Sequence, residues 1–316
     1  MSLSGKLAYQ LWYRPACYIQ DLCKEGGPII RRRNERGRAD MEIAARTLPL
    51  LPAAPGAPLA LHLLTGRRFW YQTAFCLWTF ARHANRPLAP VIYDDGTLTE
   101  EFRAPLARLF PAARFVSQKE TIARLDELLP VAKFPVLRER WLNYPNIRKL
   151  TDVHIGGKGA KLVIDSDLLF FHRPDLLIHW LEHPRNPLHA VDCETAYGYP
   201  LDEMSVLAGA PVAPLVNVGL TGLVSEDIDW TRLEFMSRSL IEKHGTHYYL
   251  EQALIAMLVA GRDCTIAPAA DYVTGPVLPE ALERRAVMHH YVAQSKRWYF
   301  QNNWRHVRET SSLILP

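Results

Sequence analysis

Short apolar runs alternate along the chain with stretches in which apolar residues recur every three or four positions, the patterns of buried strands and of amphipathic helices. Residues 59–66, LALHLLTG, end at a glycine, and Trp70, Ala74, Leu77, Trp78 and Ala81 then fall at helical spacing over 69–83. This predicts a strand followed by a helix. A second strand is expected over 89–93, followed by Asp94, Asp95 and Gly96, which suit a turn, and by Thr99 as the cap of a helix to about 110. Further strands are expected at 114–116, 161–171, 189–192 and 215–224, the last a strand or a strand pair, with helices near 121–129, 174–182 and 248–260. Strands separated by helices define an α/β fold with a mixed, mostly parallel central sheet flanked by helices. In such sheets ligands collect at the carboxyl ends of the strands.

The pattern begins at residue 58, so 58–316 reads as the main domain and 1–57 as an N-terminal helical segment and linker. The segment holds a tyrosine- and cysteine-containing apolar stretch, then the basic run Arg31, Arg32, Arg33, Arg36 and Arg38, then a proline- and alanine-rich end. Short helices leading into a linker are expected. The basic run is a solvated face or a peripheral contact with an anionic membrane.

Composition narrows the function classes. With 316 residues, 48% of them hydrophobic and 22% charged, the chain can bury a large core. A net charge of +4 is too small to argue for nucleic acid, while a pI near 8.8 is compatible with an anionic substrate. Cys17, Cys23, Cys76, Cys193 and Cys264 are odd in number and contain no C-x-x-C pair, so the reading is a reducing cytoplasm rather than a disulfide frame or zinc knuckle. No signal sequence is read at the start. The one long uncharged stretch, 204–225, carries Pro211, Pro214 and three glycines, which suits strands and loops rather than a membrane span.

The chemistry centres on KLVIDSDLLFF, residues 161–171, where Asp165 and Asp167 interrupt an apolar run. In extended chain, residues i and i+2 point the same way, so two carboxylates at a strand end can converge on a hard divalent cation that offsets the cost of burying like charges. Two solvated aspartates in a turn fit the same residues. Further along come Asp192, then Asn217 and Gly219 within an apolar run, Glu251 and Gln252 at a helix start, and His290 followed by Lys296 and Trp298.

In this order the residues resemble family 8 of the glycosyltransferases, the family of glycogenin and of bacterial lipopolysaccharide glycosyltransferases, over roughly residues 60–300. The resemblance implies the GT-A fold, retaining transfer of a hexose from a nucleoside-diphosphate sugar, and Mn²⁺ or Mg²⁺ as cofactor. By the same resemblance Asp165, Asp167 and His290 would bind the metal, with His289 as competitor for the third place. Thr65, Gly66, Arg148, Ser166, Asn217 and Lys296 would bind the donor, with residues 62–66 at the base and ribose. Gln252, Glu251 and Asp192 would be the catalytic candidates. The glycine and proline of the family's C-terminal motif H-x-x-G-x-x-K-P-W are replaced here by Ala293 and Arg297. A UDP-sugar is the favoured donor and a glycan or glycolipid the implied acceptor. Two alternatives stand beside this reading. One is a Mg²⁺-dependent phosphatase of the haloacid dehalogenase type, against which Leu169 counts; the other is a degenerate GT-A protein kept for binding.

Overall fold

The structure, a computed structural model, describes residues 26–312. The tyrosine- and cysteine-containing opening of the chain, with Cys17 and Cys23, lies outside the described residues. Ten strands are described: β1 (Leu61–Thr65), β2 (Val91–Asp94), β3 (Arg114–Val116), β4 (Ala160–Ile164), β5 (Leu168–Phe170), β6 (Leu188–Val191), β7 (Val216–Val224), β8 (Thr265–Ala267), β9 (Tyr272–Thr274) and β10 (Met288–His290). Seven form a central sheet in the order β3-β2-β1-β4-β7-β6-β8, and three form a small sheet in the order β5-β10-β9.

One half of the central sheet is the expected parallel βα pattern, with β1 parallel to both β2 and β4, and β2 parallel to β3. The other half departs from it because β7 runs antiparallel between β4 and β6. The run at 215–224 is a single strand, buried along nearly its whole length as a central strand covered on both faces must be. The expected turn after β2 is present: Asp94 Oδ1 accepts from the backbone N–H of Gly96 (2.7 Å) and Leu98 (2.9 Å).

The stretch 161–171 is not one strand. It ends as β4 at Ile164 and resumes as β5 at Leu168, so Asp165, Ser166 and Asp167 form the turn that hands the chain from the large sheet to the small one. Each half follows its own hydrogen-bonding partners, β4 those of β1 and β7, and β5 those of β10. The turn and the converging carboxylates, set as alternatives by the sequence, occur together.

Helix Trp70–Ala84 lies at the centre of the core, with buried residues on every side of it. Thr79 Oγ1 accepts from Phe170 N (3.2 Å), which fixes β5 against this helix. Among the described residues, the N-terminal segment forms a nineteen-residue helix, Pro28–Arg46. Met41, Ala44, Ala45 and Leu48 belong to the same core as the central helix. Met41 is fully buried, and its replacement by alanine would cost roughly 2–5 kcal/mol. Trp304 packs edge-on against Phe75, with ring centroids 5.7 Å apart, as a core aromatic. No described helix is long and apolar enough to cross a membrane.

Candidate active site

The turn that carries the two aspartates is pinned at both ends. Asp165 N donates to Gly219 O of β7 (2.8 Å), and Asp167 O accepts from Tyr291 N just beyond β10 (3.1 Å). The antiparallel register of β5 and β10 sets His290 opposite Leu168, the residue after Asp167. His290 Nε2 therefore sits 3.4 Å from Asp167 Oδ1 and 3.7 Å from Asp165 Oδ2. One ligand atom from each of the three residues lies within 4.8 Å of the others. His289 points the other way, buried with its ring 4.8 Å from Phe171 and Nδ1 3.2 Å from the Tyr291 hydroxyl. Burial lowers its pKa to about 4. The pleat of β10 thus separates the two histidines, a distinction the sequence does not make.

Hydrogen bonding also places a proton on Nδ1 of His290. Asn217 Oδ1 accepts from the backbone N–H of Gly219 (2.9 Å), and Asn217 Nδ2 donates to Asp192 Oδ2 (3.0 Å), so the amide can have only one orientation. Its oxygen then faces His290 Nδ1 at 3.2 Å and accepts the hydrogen bond from the imidazole N–H there. Nε2 is then the nitrogen turned toward the two carboxylates. Two carboxylate oxygens and an imidazole nitrogen are a donor set for a divalent cation, with the second-sphere amide that such histidines need. The residues fit Mn²⁺ or Mg²⁺. Gly219 is required here because a Cβ at this position would overlap the His290 ring.

Two lysines flank the cluster. Lys296 Nζ is 3.3 Å from Asp167 Oδ2, and Lys149 Nζ is 2.9 Å from Asp165 Oδ1 and 3.4 Å from Glu251 Oε2. Burial alone would raise the Asp167 carboxyl, but Lys296 and His290 outweigh it and hold the group well below the usual carboxylate range. Glu251 is different: burial pushes it up to about 7, with Lys149 opposing and Asp165 adding to the rise. Its Oε1 is buried with no hydrogen-bond partner.

These groups line a cleft of about 380 Å³ at the carboxyl ends of β4 and β6. On its floor Asp192 is held by three donors, Cys193 N to Oδ1 (2.8 Å) and Asn217 Nδ2 (3.0 Å) and Gln252 Nε2 (2.8 Å) to Oδ2. The bond from Gln252 leaves its Oε1 as the free acceptor. A continuous chain of contacts therefore runs Gln252, Asp192, Asn217, His290, Asp167, Lys296.

The remaining residues implied by the resemblance lie apart. Arg148 does not line this cleft; its guanidinium donates to Asp95 O (2.7 Å), pairs with Asp152 (3.3 Å) and lies 4.4 Å from the centre of the Trp141 ring. Thr65 is buried, accepting from Thr73 Oγ1 (2.8 Å), and Gly66 packs on Asp95 so closely that a Cβ would overlap its carboxylate. Thr65, Gly66 and Arg148 thus meet around Asp95 at the neighbouring strand ends. His62 packs inside the sheet, with Nδ1 3.2 Å from the Tyr93 hydroxyl. Ser166 is half-buried within the aspartate turn. The cleft residue that sequence reasoning missed is Lys149. Pro145–Ile147 forms a tight turn ahead of helix Arg148–His154, which sets the helix phase so that Lys149, not Arg148, faces the aspartates. Tyr144 and Tyr249 also line the cleft unforeseen, as aromatic residues carry no local signal of a site.

No protein-family model matches the chain, and no curated protein does. Solved structures do. Mouse xyloside xylosyltransferase 1 in its apo form matches with a TM-score of 0.51 at 12% identity, over 76% of this chain and 99% of that one. The galactosyltransferase LgtC, in complex with donor and acceptor sugar analogues, matches with a TM-score of 0.52 at 14% identity, over 80% of this chain and 96% of that one. The bifunctional glycosyltransferase WbbM matches with a TM-score of 0.50 at 12% identity, over 83% of this chain but 53% of that one. At such identities the likeness is one of fold, and the fold is GT-A, the architecture of these glycosyltransferases.

Proposed function

We propose that the chain is a metal-dependent, retaining hexosyltransferase that moves a hexose from a nucleoside-diphosphate sugar to a saccharide or lipid-linked acceptor. The observation that carries the reading is the cluster of Asp165, Asp167 and His290 at the carboxyl end of β4, wired through Asn217 to Asp192 and Gln252 and flanked by Lys296. UDP-sugars are the favoured donors. The described cysteines are free, in keeping with a cytoplasmic setting.

Asp165, Asp167 and His290 would hold Mn²⁺ or Mg²⁺, which supplies Lewis-acid neutralisation of the donor diphosphate. The remaining chemistry falls to the chain's own side chains. As the bond from the anomeric carbon to the diphosphate oxygen breaks, its electron pair goes to the phosphate, where Lys296 meets the growing negative charge. Lys149 adds a second cation on the far side of the aspartates. Positive charge develops on the anomeric carbon, and Gln252 Oε1 is the acceptor dipole available to it. Asp192, saturated by three hydrogen bonds, acts as the anchor that aims Gln252 and Asn217 rather than as a nucleophile. Retention then follows from attack on the face that the diphosphate leaves, with the acceptor hydroxyl passing its proton to the departing phosphate oxygen.

Thermal unfolding measured with a panel of nucleoside diphosphates, with and without Mn²⁺, tests this reading. A nucleotide at a hundred times its Kd stabilises the fold by about 2.7 kcal/mol, and the stabilisation is expected only when metal is present. Asp167→Asn is expected to abolish it while the protein stays folded. Donor hydrolysis surviving in that variant would sink the metal assignment, and no shift with any nucleotide would sink the transferase. Binding without transfer to any acceptor would leave the degenerate GT-A binding protein.

A further inference from the structure

Helix Pro28–Arg46 turns to solvent a face that the core does not use. Ile29 and Ile43 on that face are each 68% exposed. Arg32, Arg33 and Arg36 lie between them on the same side of the helix, all exposed and with no ion pair or hydrogen bond to any described residue. The helix's other charges are engaged. Glu35 pairs with Arg31 (3.1 Å), Asp40 with Arg305 (2.6 Å) and Arg46 with Glu101 (2.9 Å), Glu42 accepts from Trp70 Nε1 (3.4 Å), and Arg38 lies 4.6 Å over the Phe300 ring. The free charge on the exposed face is thus all positive.

Just past the helix the chain enters an apolar groove of about 560 Å³, walled by residues 49–54 and by Trp78, Leu88 and Phe110. Leu50, on its lip, is 58% exposed. At its rim Arg82 donates to Val307 O (3.0 Å) and Thr310 O (3.1 Å), and Arg108 to Leu48 O (2.7 Å). Main-chain carbonyls fix these guanidinium groups without neutralising them. Of the arginines lining the groove, Arg86 is paired with Glu182 while Arg82 and Arg108 have no ion pair among the described residues, so helix face and groove both set exposed aliphatic surface beside arginines without a carboxylate partner. A saccharide or nucleotide has no use for the aliphatic part. A second copy of the chain docked isologously would set arginine against arginine. An anionic bilayer satisfies both parts, since aliphatic side chains enter the boundary between headgroups and acyl chains while guanidinium groups meet lipid phosphates.

We propose that this face is a docking surface for an anionic phospholipid bilayer, with Ile29, Ile43 and Leu50 entering the headgroup boundary and Arg32, Arg33 and Arg36 contacting lipid phosphates. The inference goes beyond the transferase reading and does not depend on it. Co-sedimentation of the full chain with vesicles of phosphatidylcholine alone, and of phosphatidylcholine and phosphatidylglycerol in equal parts, tests it. Binding is expected to the second kind only. R32Q/R33Q/R36Q is expected to lower the partition coefficient roughly 100-fold, and I29S/I43S/L50S to weaken it and leave the remainder fully removable by salt. Melting temperatures of both variants should match the wild type, because the replaced side chains are exposed. The proposal is overturned if the wild-type chain ignores anionic vesicles, if the arginine variant binds as well as the wild type, or if the aliphatic variant binds unchanged. A dimer in light scattering that the aliphatic variant dissolves, with no vesicle binding, would make the face a self-interface and overturn it equally.

Discussion

Lys149 reaches across the head of the cleft to Asp165, its Nζ 2.9 Å from Oδ1, and the same ammonium lies 3.4 Å from Glu251 Oε2. It bridges a carboxylate of the candidate metal cluster and a buried acid at the start of helix Leu250–Leu258. On the proposed metal reading, Lys149 is expected to compete with a divalent cation for Asp165 and to turn toward the donor phosphates once the cation binds. Lys149→Met separates these roles. Transfer activity is expected to fall about 100-fold, the usual cost of removing one charged donor from a site where negative charge develops. Mn²⁺ affinity, measured by calorimetry without nucleotide, is expected to hold or rise. A parallel fall in both would show that Lys149 only supports Asp165.

Glu251 gives the fold a pH dependence of unusual sign. Burial pushes its carboxyl from the ordinary 4.5 up to about 7, so the folded chain holds this proton more tightly than the unfolded chain. The associated stability is fully present below about pH 4.5 and is lost as pH rises toward 7, amounting to something on the order of 3 kcal/mol at most. Glu251→Gln removes the titration while keeping the shape. In urea unfolding of the metal-free protein, the variant is expected to gain on the wild type steadily between those pH values and to run parallel to it above them. A constant difference across the range would refute the shifted acid.

The fold was legible where local pattern and tertiary partners agree, as in β1, helix Trp70–Ala84 and β3, and illegible where partners alone decide. The break after Ile164 is one such place, since KLVIDSDLLFF is apolar on both sides of its aspartates, which fit a strand end or a turn alike, and the different partners of β4 and β5 divide it. The antiparallel course of β7 is another, because direction within a sheet leaves no trace in a buried apolar run. In the site, the aspartate pair announced itself through burial of like charge. The choice between Arg148 and Lys149 did not, because one residue of helix phase separates a side chain stacked on Trp141 from one inside the cleft. The choice between His289 and His290 likewise rests on the pleat of β10.

Asn217 joins the metal cluster to the floor of the cleft, and two substitutions at this position divide its functions. Asn217→Ala removes the acceptor for His290 Nδ1, and Mn²⁺ affinity is expected to drop 10–100-fold, the range for second-sphere partners of a metal-binding histidine. Asn217→Asp keeps an acceptor for the imidazole but sets a carboxylate against Asp192 Oδ2, where an amide now donates at 3.0 Å. That variant is expected to bind Mn²⁺ nearly as the wild type does while losing transfer activity, as Asp192 and Gln252 are pushed out of place. Equal loss of metal binding in both variants would mean that Asn217 acts only through the backbone of β7.

Gly219 provides a purely steric test of the cluster. Its φ lies outside the left-handed region, so an alanine there suffers no backbone strain, and the only obstacle is the His290 ring, which the new methyl group would overlap. Gly219→Ala is expected to cost about 1–3 kcal/mol, the range for overpacking, and to lower Mn²⁺ affinity at least tenfold by displacing the imidazole from Asp165 and Asp167. The double variant Gly219→Ala with His290→Ala decides whether the ring is the cause. Removing the imidazole makes room for the methyl group, so the double variant should be as stable as His290→Ala alone, with a coupling energy that cancels the cost of the single glycine change. Additive losses would show instead that Gly219 serves the junction of β4 and β7, where its carbonyl accepts from Asp165 N, and that the close approach to His290 is incidental.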